Sequence, residues 1–555
     1  MELHEENPFK IRSYSNAVAV LERLETPLKG LTTGELERID GVGKALAAKI
    51  VDLTQTGSFA ELDQLVAATP PGVVEMLHIK GIGPKKIRAI WKDLGVETTA
   101  ALLEACERNE LAALKGFGAK TQESIKNALL YNQESKGKLL YAQVEQLAGL
   151  LQQTLQEKLN TTQVEVVGEV RRRLEIIQLL QLVVGGSQQQ LHQVLDSLPE
   201  LVADAVNSGP FIWRGREATS GLAVEVKTVL PDQFVNEVFR MTGSSAHLSA
   251  QINGTDCLLQ VSRQENFSSE AAIYQKAGLA YVEPEMREGR QELLLAKENA
   301  LPVLVTDQDL RGILHNHSTY SDGAHTLEQM AVYCRDKGYD YLGICDHSKS
   351  AFYANGMQEF RVRDQHKEID KLNRSLGPFR IFKGIESDIL ADGSLDYSEE
   401  VLATFDFVVA SIHSNLKMDI GKATDRLLGA IENPYTTILG HPTGRLLLRR
   451  EGYPIDHKAV IDACAQQGVI IEINANPWRL DLDWRWVEYA LTKGVRLSIN
   501  PDAHSQEGYH DMRYGVLMGR KGGLTREMTF NACAVEEVAA HFEQRKRRAA
   551  EMRAS

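Results

Sequence analysis

The stretch HNHSTYSDG, His315 to Gly323, places two imidazoles on alternate residues and a carboxylate five positions further on. Alternate residues of a strand point the same way, so His315 and His317 would face one site from a strand end. Asp322 follows in the loop. Outward from this stretch the pattern recurs. From Arg311 onward, short apolar strands alternate with amphipathic helices: YDYLGICDH, FRIFKGIESDIL, FDFVVASIHS, YTTILGHP, GVIIEINA and VRLSINPDAH. These runs bring His347, Glu386, His413, His441, Asp502 and His504 to strand ends. The alternation predicts a parallel α/β barrel, a fold whose functional groups sit at the C-terminal ends of its strands.

The chain has 15 His among 555 residues, and six fall in these motifs, which composition does not explain. Imidazole with a few carboxylates suits Zn, Mn or Fe and leaves coordination positions open. The C-terminal half is therefore expected to be a metal-dependent hydrolase. Asp346 could orient the neighbouring His347 or cap its strand. Arg513 is a candidate phosphate clamp or a structural cation. The C-terminal run EEVAAHFEQRKRRAAEMRAS reads as a helix with a solvated basic face, or as a DNA contact.

The chain is long enough for several domains. With 43% hydrophobic and 25% charged residues it reads as soluble and globular. A net charge of −13 excludes a generally cationic nucleic-acid coat but permits a local basic surface. Cys106, Cys257, Cys334, Cys345, Cys464 and Cys533 lack CxxC spacing and read as free thiols of a reducing compartment. The polar start MELHEENPFK has no leader pattern, and no run of about 20 apolar residues exists. A cytoplasmic location without a membrane is expected.

The N-terminal third repeats one short pattern: IDGVGKALAAKI (Ile39–Ile50), IKGIGPKKIRAI (Ile79–Ile90) and LKGFGAKTQESI (Leu114–Ile125). Paired glycines, Gly41 with Gly43, Gly81 with Gly83 and Gly116 with Gly118, permit a tight turn. The helix after each turn presents free N–H groups and a positive dipole end, which suit a phosphate oxygen. Lys44, Lys85, Lys86 and Lys120 follow the turns, where phosphate contacts are expected. The third copy carries the bulky Phe117 between its glycines. The pattern resembles the helix-hairpin-helix motif, which implies salt-dependent, sequence-independent DNA binding.

NPFKIRSYSNA (Asn7–Ala17), followed by the first hairpin, resembles the start of a family X DNA polymerase. The resemblance puts Lys49 where that family has a Schiff-base lysine acting on abasic sites. VEVVGEVRRRLEIIQLLQLVV (Val164–Val184) is similar to the family's palm. Matching Gly168, Arg171, Arg172 and Glu175 puts Leu179 and Gln181 at the two metal-binding Asp positions and Glu169 at a Ser position. Glu225 is the surviving carboxylate. One carboxylate does not hold two hard cations for phosphoryl transfer, so nucleotide transfer is expected to be absent. Thr242, Gly243 and Ser244 match the family's nucleotide-pocket signature, while Met241 and Leu248 depart from it.

The C-terminal pattern resembles the polymerase and histidinol phosphatase (PHP) domain, with all nine ligand positions filled. That implies a distorted seven-stranded barrel holding three metals, with Glu386 as a bridging carboxylate. YVEPEMREGRQEL (Tyr281–Leu293) resembles the junction in bacterial family X members. The resemblance thus covers nearly the whole chain. It implies a multidomain fold: an all-α helix-hairpin-helix N-terminal region, an α+β nucleotidyltransferase-like palm and thumb, and a distorted (β/α)7 PHP barrel. The expected segments are a lyase-like domain at 1–80, a fingers-like hairpin region at 81–138, a degenerate palm at 139–235, a thumb at 236–295 and the barrel at 310–555. The expected activity is that of a monomeric, metal-dependent 3′→5′ DNA exonuclease or 3′-end-processing enzyme in repair, acting on gapped, nicked or 3′-ended DNA. The alternatives are a small-molecule phosphatase of the histidinol-phosphate type and a noncatalytic DNA-binding scaffold.

Overall fold

The computed structural model describes residues 1–21, 24, 28–79, 82–252 and 256–554. They form two compact units, Met1–Lys136 and Gly137–Ser555.

The first unit is helical. Gly43, Gly83 and Gly118 are the N-caps of helices Lys44–Thr56, Pro84–Leu94 and Ala119–Ser135. Gly41 (φ 80°) and Gly116 (φ 88°) turn the chain through the left-handed region, which glycine enters without a Cβ clash. Gly81 lies outside the described residues. The residue between the glycines is buried in each copy: Val42 at 4%, Ile82 at 5% and Phe117 at 8% exposure. Phe117 therefore does not obstruct its turn but anchors the hairpin in a core shared with Ile87, Ile90, Trp91 and Leu102. Val42 anchors the first hairpin among Ala17, Leu36, Ala47 and Ile50.

The second unit opens with a small antiparallel pair, β1 (Leu139–Leu140) and β3 (Ile176–Ile177). Beside it lies a five-stranded palm sheet. Its members are β2 (Val164–Val167), β4 (Leu179–Gly185), β5 (Leu201–Ala203), β6 (Ile212–Glu217) and β7 (Ala223–Val229), in the order β2-β4-β7-β6-β5. Only β4 and β7 pair in parallel; the other neighbours are antiparallel. Alternate residues Leu180, Leu182 and Val184 of β4 face one side, as strand geometry requires, and meet Val144, Ala148, Leu151 and Leu155 of helix Tyr141–Leu159. Short helices around Phe239, Ile273 and Tyr274 form the thumb-like core that follows.

The rest is a barrel of seven parallel strands: β8 (Gly312–Ile313), β9 (Tyr341–Ile344), β10 (Arg380–Asp388), β11 (Phe407–Ser411), β12 (Thr436–Leu439), β13 (Ile470–Asn474) and β14 (Leu497–Asn500). Strands follow one another in sequence order around the wall. The wall is distorted at its seam. No regular ladder joins β8 to β14; instead Asp502 N–H donates to the His315 carbonyl (3.1 Å) and His317 N–H to the Ala503 carbonyl (2.8 Å). Inside, Phe407 fills space left by Gly343 and Gly384, where a Cβ would lie 2.5 and 2.4 Å from its ring.

Phe542 of the C-terminal helix Val535–Ala554 stacks on Phe407 at 4.8 Å, packed with Phe382 and Phe530. In the same helix Arg545 is only 7% exposed and donates to the carbonyls of Gln467, Gly468 and Thr436. This corrects the expected solvated basic face: part of that face caps the carbonyls beside β12 and β13. Palm and barrel are joined through the buried Glu175, which accepts from Trp484 Nε1 (3.0 Å) and Arg485 (2.7 Å). All six cysteines are free. Among the described residues no helix is long and apolar enough to cross a membrane.

Candidate metal centre

The barrel brings all nine predicted residues into one cluster beyond the C-terminal ends of its strands. His315 and His317 follow β8, His347 follows β9, and Glu386 lies in β10. His413 follows β11, His441 follows β12, and Asp502 and His504 follow β14. Asp322 arrives from the loop after β8. Asp502 holds φ 53°, a left-handed conformation that Asp tolerates better than most residues.

Glu386 is the hub. Its Oε1 lies 3.1 Å from His441 Nε2, 3.2 Å from His413 Nε2 and 3.3 Å from His315 Nε2. Its Oε2 lies 2.9 Å from His347 Nδ1 and 3.7 Å from His317 Nε2. On the other side Asp502 Oδ1 is 3.0 Å from His317 Nε2, and Asp322 Oδ1 is 3.4 Å from His504 Nε2 and 3.7 Å from His347 Nε2. Three overlapping groups converge closely enough to hold an ion: His317, Asp322, His347 and His504; His315, His317 and Asp502; and His347, Glu386 and His413.

The donor set fits divalent metals on its own chemistry. His315 Nε2, His347 Nδ1 and Glu386 Oε2, which face into the cluster, are buried without a hydrogen-bond partner. Burying polar atoms unpaired costs about 1–3 kcal/mol each unless a ligand satisfies them. Electrostatics point the same way. Burial and then the charges of His504 and His347 hold His317 down at about 3, so it stays neutral. Burial would lower His413 too, but Glu386 and Asp388 override it and raise it to about 10. Burial would raise Asp322, yet His504, His347 and His317 hold it at about 2. Three anionic carboxylates close together are stabilised by cations beside them, a role the protonated imidazoles fill here and a bound ion can take over.

A second layer fixes the imidazoles. Glu472 of β13, fully buried, accepts from His315 Nδ1 (2.7 Å), Asn500 Nδ2 (3.1 Å), Asn474 Nδ2 (3.1 Å) and the His441 N–H (3.2 Å). Asp388 accepts from His413 Nδ1 at 2.6 Å. Such carboxylates set the tautomer that leaves Nε2 free as a ligand atom. Neither was foreseen, though Glu472 stood out as a lone charge in the apolar run IIEIN, and Asp388 shares a strand face with Glu386. Asp346 does not orient His347. It accepts from the N–H and hydroxyl groups of Ser318 and Ser321 and from Gln365, and so braces the loop that carries Asp322. Arg513 pairs with Glu145 of the palm rather than with the cluster. The arginine beside the cluster is Arg479, 3.4 Å from Asp502 Oδ2.

Comparison with known proteins places this geometry. Residues 1–59 match the family described as Helix-hairpin-helix domain, 73–129 the SAM-like Helix-hairpin-helix tandem, and 314–476 the PHP domain. Over 559 aligned residues, 98% of this chain and 97% of the relative, the sequence is 34% identical to DNA polymerase/3'-5' exonuclease PolX of Bacillus subtilis. The chain belongs to the PolX family. The chain is also similar to a probable phosphatase of a Thermoanaerobacter species, 26% identical over 42% of this chain and 95% of that protein. A solved structure of Leishmania infantum polymerase beta aligns over 39% of this chain and 98% of its own, with 15% identity and a TM-score of 0.23.

In this PolX chain the palm residues are engaged with one another. Gln181 and Glu225 are register neighbours on β4 and β7, and Gln181 Nε2 donates to Glu225 Oε1 (2.9 Å). Arg214 holds the other oxygen of Glu225 at 2.8 Å. Leu179 precedes Gln181 by two residues on β4, and Glu169 accepts the N–H groups of Gln178 (2.7 Å) and Leu179 (3.2 Å). Arg171 is tied to Glu270 and Thr242, and Arg172 to Glu288. Ser244 caps a helix by accepting the His247 N–H.

In the N-terminal unit Lys44, Lys85 and Lys120 are exposed beside their turns, while Lys86 lies over the Phe117 ring at 5.5 Å. Lys49 is half-buried and bonded to Glu61 and Tyr14. The Glu61 carboxylate, then Tyr14, raise its pKa above the usual lysine value.

Proposed function

We propose that this chain is a metal-dependent DNA phosphoesterase acting as a 3′→5′ exonuclease in repair, in a PolX framework that no longer transfers nucleotides. The observation that carries the hydrolase is the cluster built on Glu386, with its unpartnered imidazole nitrogens. The DNA substrate is supported by the hairpin modules of the N-terminal unit and by membership of PolX. A small-molecule phosphatase would use the same barrel but leaves those modules without a task, and a noncatalytic scaffold leaves the complete donor set without one.

In this reading the nine residues hold divalent metals, three in number, of Zn, Mn or Fe. When bound, they supply Lewis-acid polarisation of a phosphoryl oxygen and acidify water near neutral pH. The chain's own residues do the positioning. Glu386 bridges between the groups, Glu472 and Asp388 keep His315 and His413 turned with Nε2 inward, and Asp346 fixes the loop of Asp322. Arg479 offers a positive charge to the phosphate at the edge of the cluster.

The reading assigns 1–80 and 81–138 to gripping the DNA backbone, 139–235 and 236–295 to a palm and thumb kept as a platform, and 310–555 to hydrolysis. Gly41, Gly43, Gly83, Gly116 and Gly118, with their lysines, make the backbone contacts. The loss of nucleotide transfer is supported by Glu225, whose charge Arg214 already pairs and whose other oxygen accepts from Gln181, and by Leu179 and Gln181, which offer no anionic oxygen. The protein is expected to work as a cytoplasmic monomer.

The test is a Mn²⁺-supplemented assay on 5′-labelled and 3′-labelled DNA, with and without dNTPs. Stepwise shortening from the 3′ end, absent in His315→Ala, supports the reading. Release from the 5′ end refutes the polarity, and primer extension refutes the inactive palm.

A further inference from the structure

The turn after His347 is tightly fixed. Ser350 N–H donates to Asp396 (2.7 Å) and its hydroxyl to Asp388 (2.8 Å). Asn355 Nδ2 donates to the Ser321 carbonyl (3.0 Å), and Met357 N–H to the His347 carbonyl (2.9 Å). Ala351 and Ala354 are buried at 0% and 1% exposure. Between them stand two large aromatics left in the open, Phe352 at 84% and Tyr353 at 70%. Left exposed, they forgo the stabilisation that burying a large apolar side chain brings, about 1.5–3 kcal/mol for a ring such as Phe352.

Tyr353 also has a particular place. Its ring lies 6.2 Å from the His347 ring, tilted by 58°. The ring therefore stands beside His347, at the edge of the cluster.

We propose that Tyr353, with Phe352 adjoining, is the platform on which the nucleobase of the substrate's terminal nucleotide stacks while its phosphodiester enters the cluster. The inference rests on the DNA phosphoesterase reading above and names what that site recognises beyond phosphate. A π-face accepts every base, which matches a sequence-independent nuclease, and Tyr pairs a flat apolar ring with a hydroxyl that stays in water.

The test uses the full chain with Mn²⁺ and two 5′-labelled single-stranded oligonucleotides, one ending in a normal 3′ nucleotide and one in a 3′ abasic residue. Base stacking predicts that Tyr353→Ala raises KM for the normal end by about tenfold, while Tyr353→Phe stays within about twofold of the parent. On the abasic end the parent should already show the higher KM, and Tyr353→Ala should add nothing. An equal effect of Tyr353→Ala on both ends, or none on either, overturns the platform while leaving the nuclease reading intact. A parent that degrades neither oligonucleotide yet hydrolyses p-nitrophenyl phosphate overturns both.

Discussion

Replacing Glu472 by Gln keeps the size and shape of the side chain and changes one oxygen to an N–H₂ donor. Every neighbour of that carboxylate is itself a donor: His315 Nδ1 and Asn500 Nδ2 on one oxygen, the His441 N–H and Asn474 Nδ2 on the other. Whichever way the amide turns, two donors lose their acceptor in a site with no solvent access, at about 1–3 kcal/mol each. His315 can escape by moving its proton to Nε2, the nitrogen aimed at Glu386 (3.3 Å) and needed as a lone pair. That shift converts a structural cost into a loss of ligation. Carboxylates that orient metal-binding histidines are worth about 10- to 100-fold in affinity or activity. Glu472→Gln is therefore expected to weaken Mn²⁺ binding, followed by calorimetry, by that factor and to move the Mn²⁺ dependence of DNA cleavage to higher concentration in parallel. Metal affinity within twofold of the parent would refute the reasoning. So would lost activity that tracks only a lowered melting temperature, since that marks a merely structural residue.

Asp388→Asn should act in the same direction but more weakly, because Asp388 holds a single imidazole, and the readout is again the Mn²⁺ concentration at half-maximal cleavage. For Lys49, the Glu61 carboxylate and Tyr14 raise the pKa, so the neutral amine is scarcer near pH 8 than for a free lysine. Borohydride trapping on abasic DNA should be slow, faster in Glu61→Gln and absent in Lys49→Ala; efficient trapping by the parent at pH 7 would contradict this. Lys521 is buried against Glu288 and the carbonyls of Arg172 and Glu285, and burial lowers it to about 8. Between pH 8 and 10.5 the unfolded chain binds its proton while the folded one does not, so this group adds stability as pH rises, by up to about 3 kcal/mol. Thermal melts across pH 8–10 should show that slope in the parent and lose it in Lys521→Met.

The clustered residues were legible because their chemistry restricts residue type: imidazoles and carboxylates at apolar strand ends have few other uses. The alternation of strands and helices likewise shows the barrel without any knowledge of contacts. What sequence could not show is pairing across distance. Glu472 and His315 are 157 positions apart, and nothing local in IIEIN says which imidazole its charge will meet. Phe117 set the third copy apart in sequence, and its burial depends on helices folded around it. Arg545 read as one cation in a basic tail, yet the ends of β12 and β13 present it with carbonyls that only the folded wall brings together.

The seam of the barrel has a mechanical meaning. Its first and last staves are joined where the backbones of His315, His317, Asp502 and Ala503 exchange N–H and carbonyl groups, and three of these four residues also belong to the metal cluster. The ions would therefore act as a latch on the cylinder as well as a reagent. Chelation should let the wall breathe at this one line, seen as faster amide exchange at His317 and Asp502 than at the opposite strands. Filling the centre should close it, so that metal supply sets both the activity of the enzyme and the integrity of its scaffold.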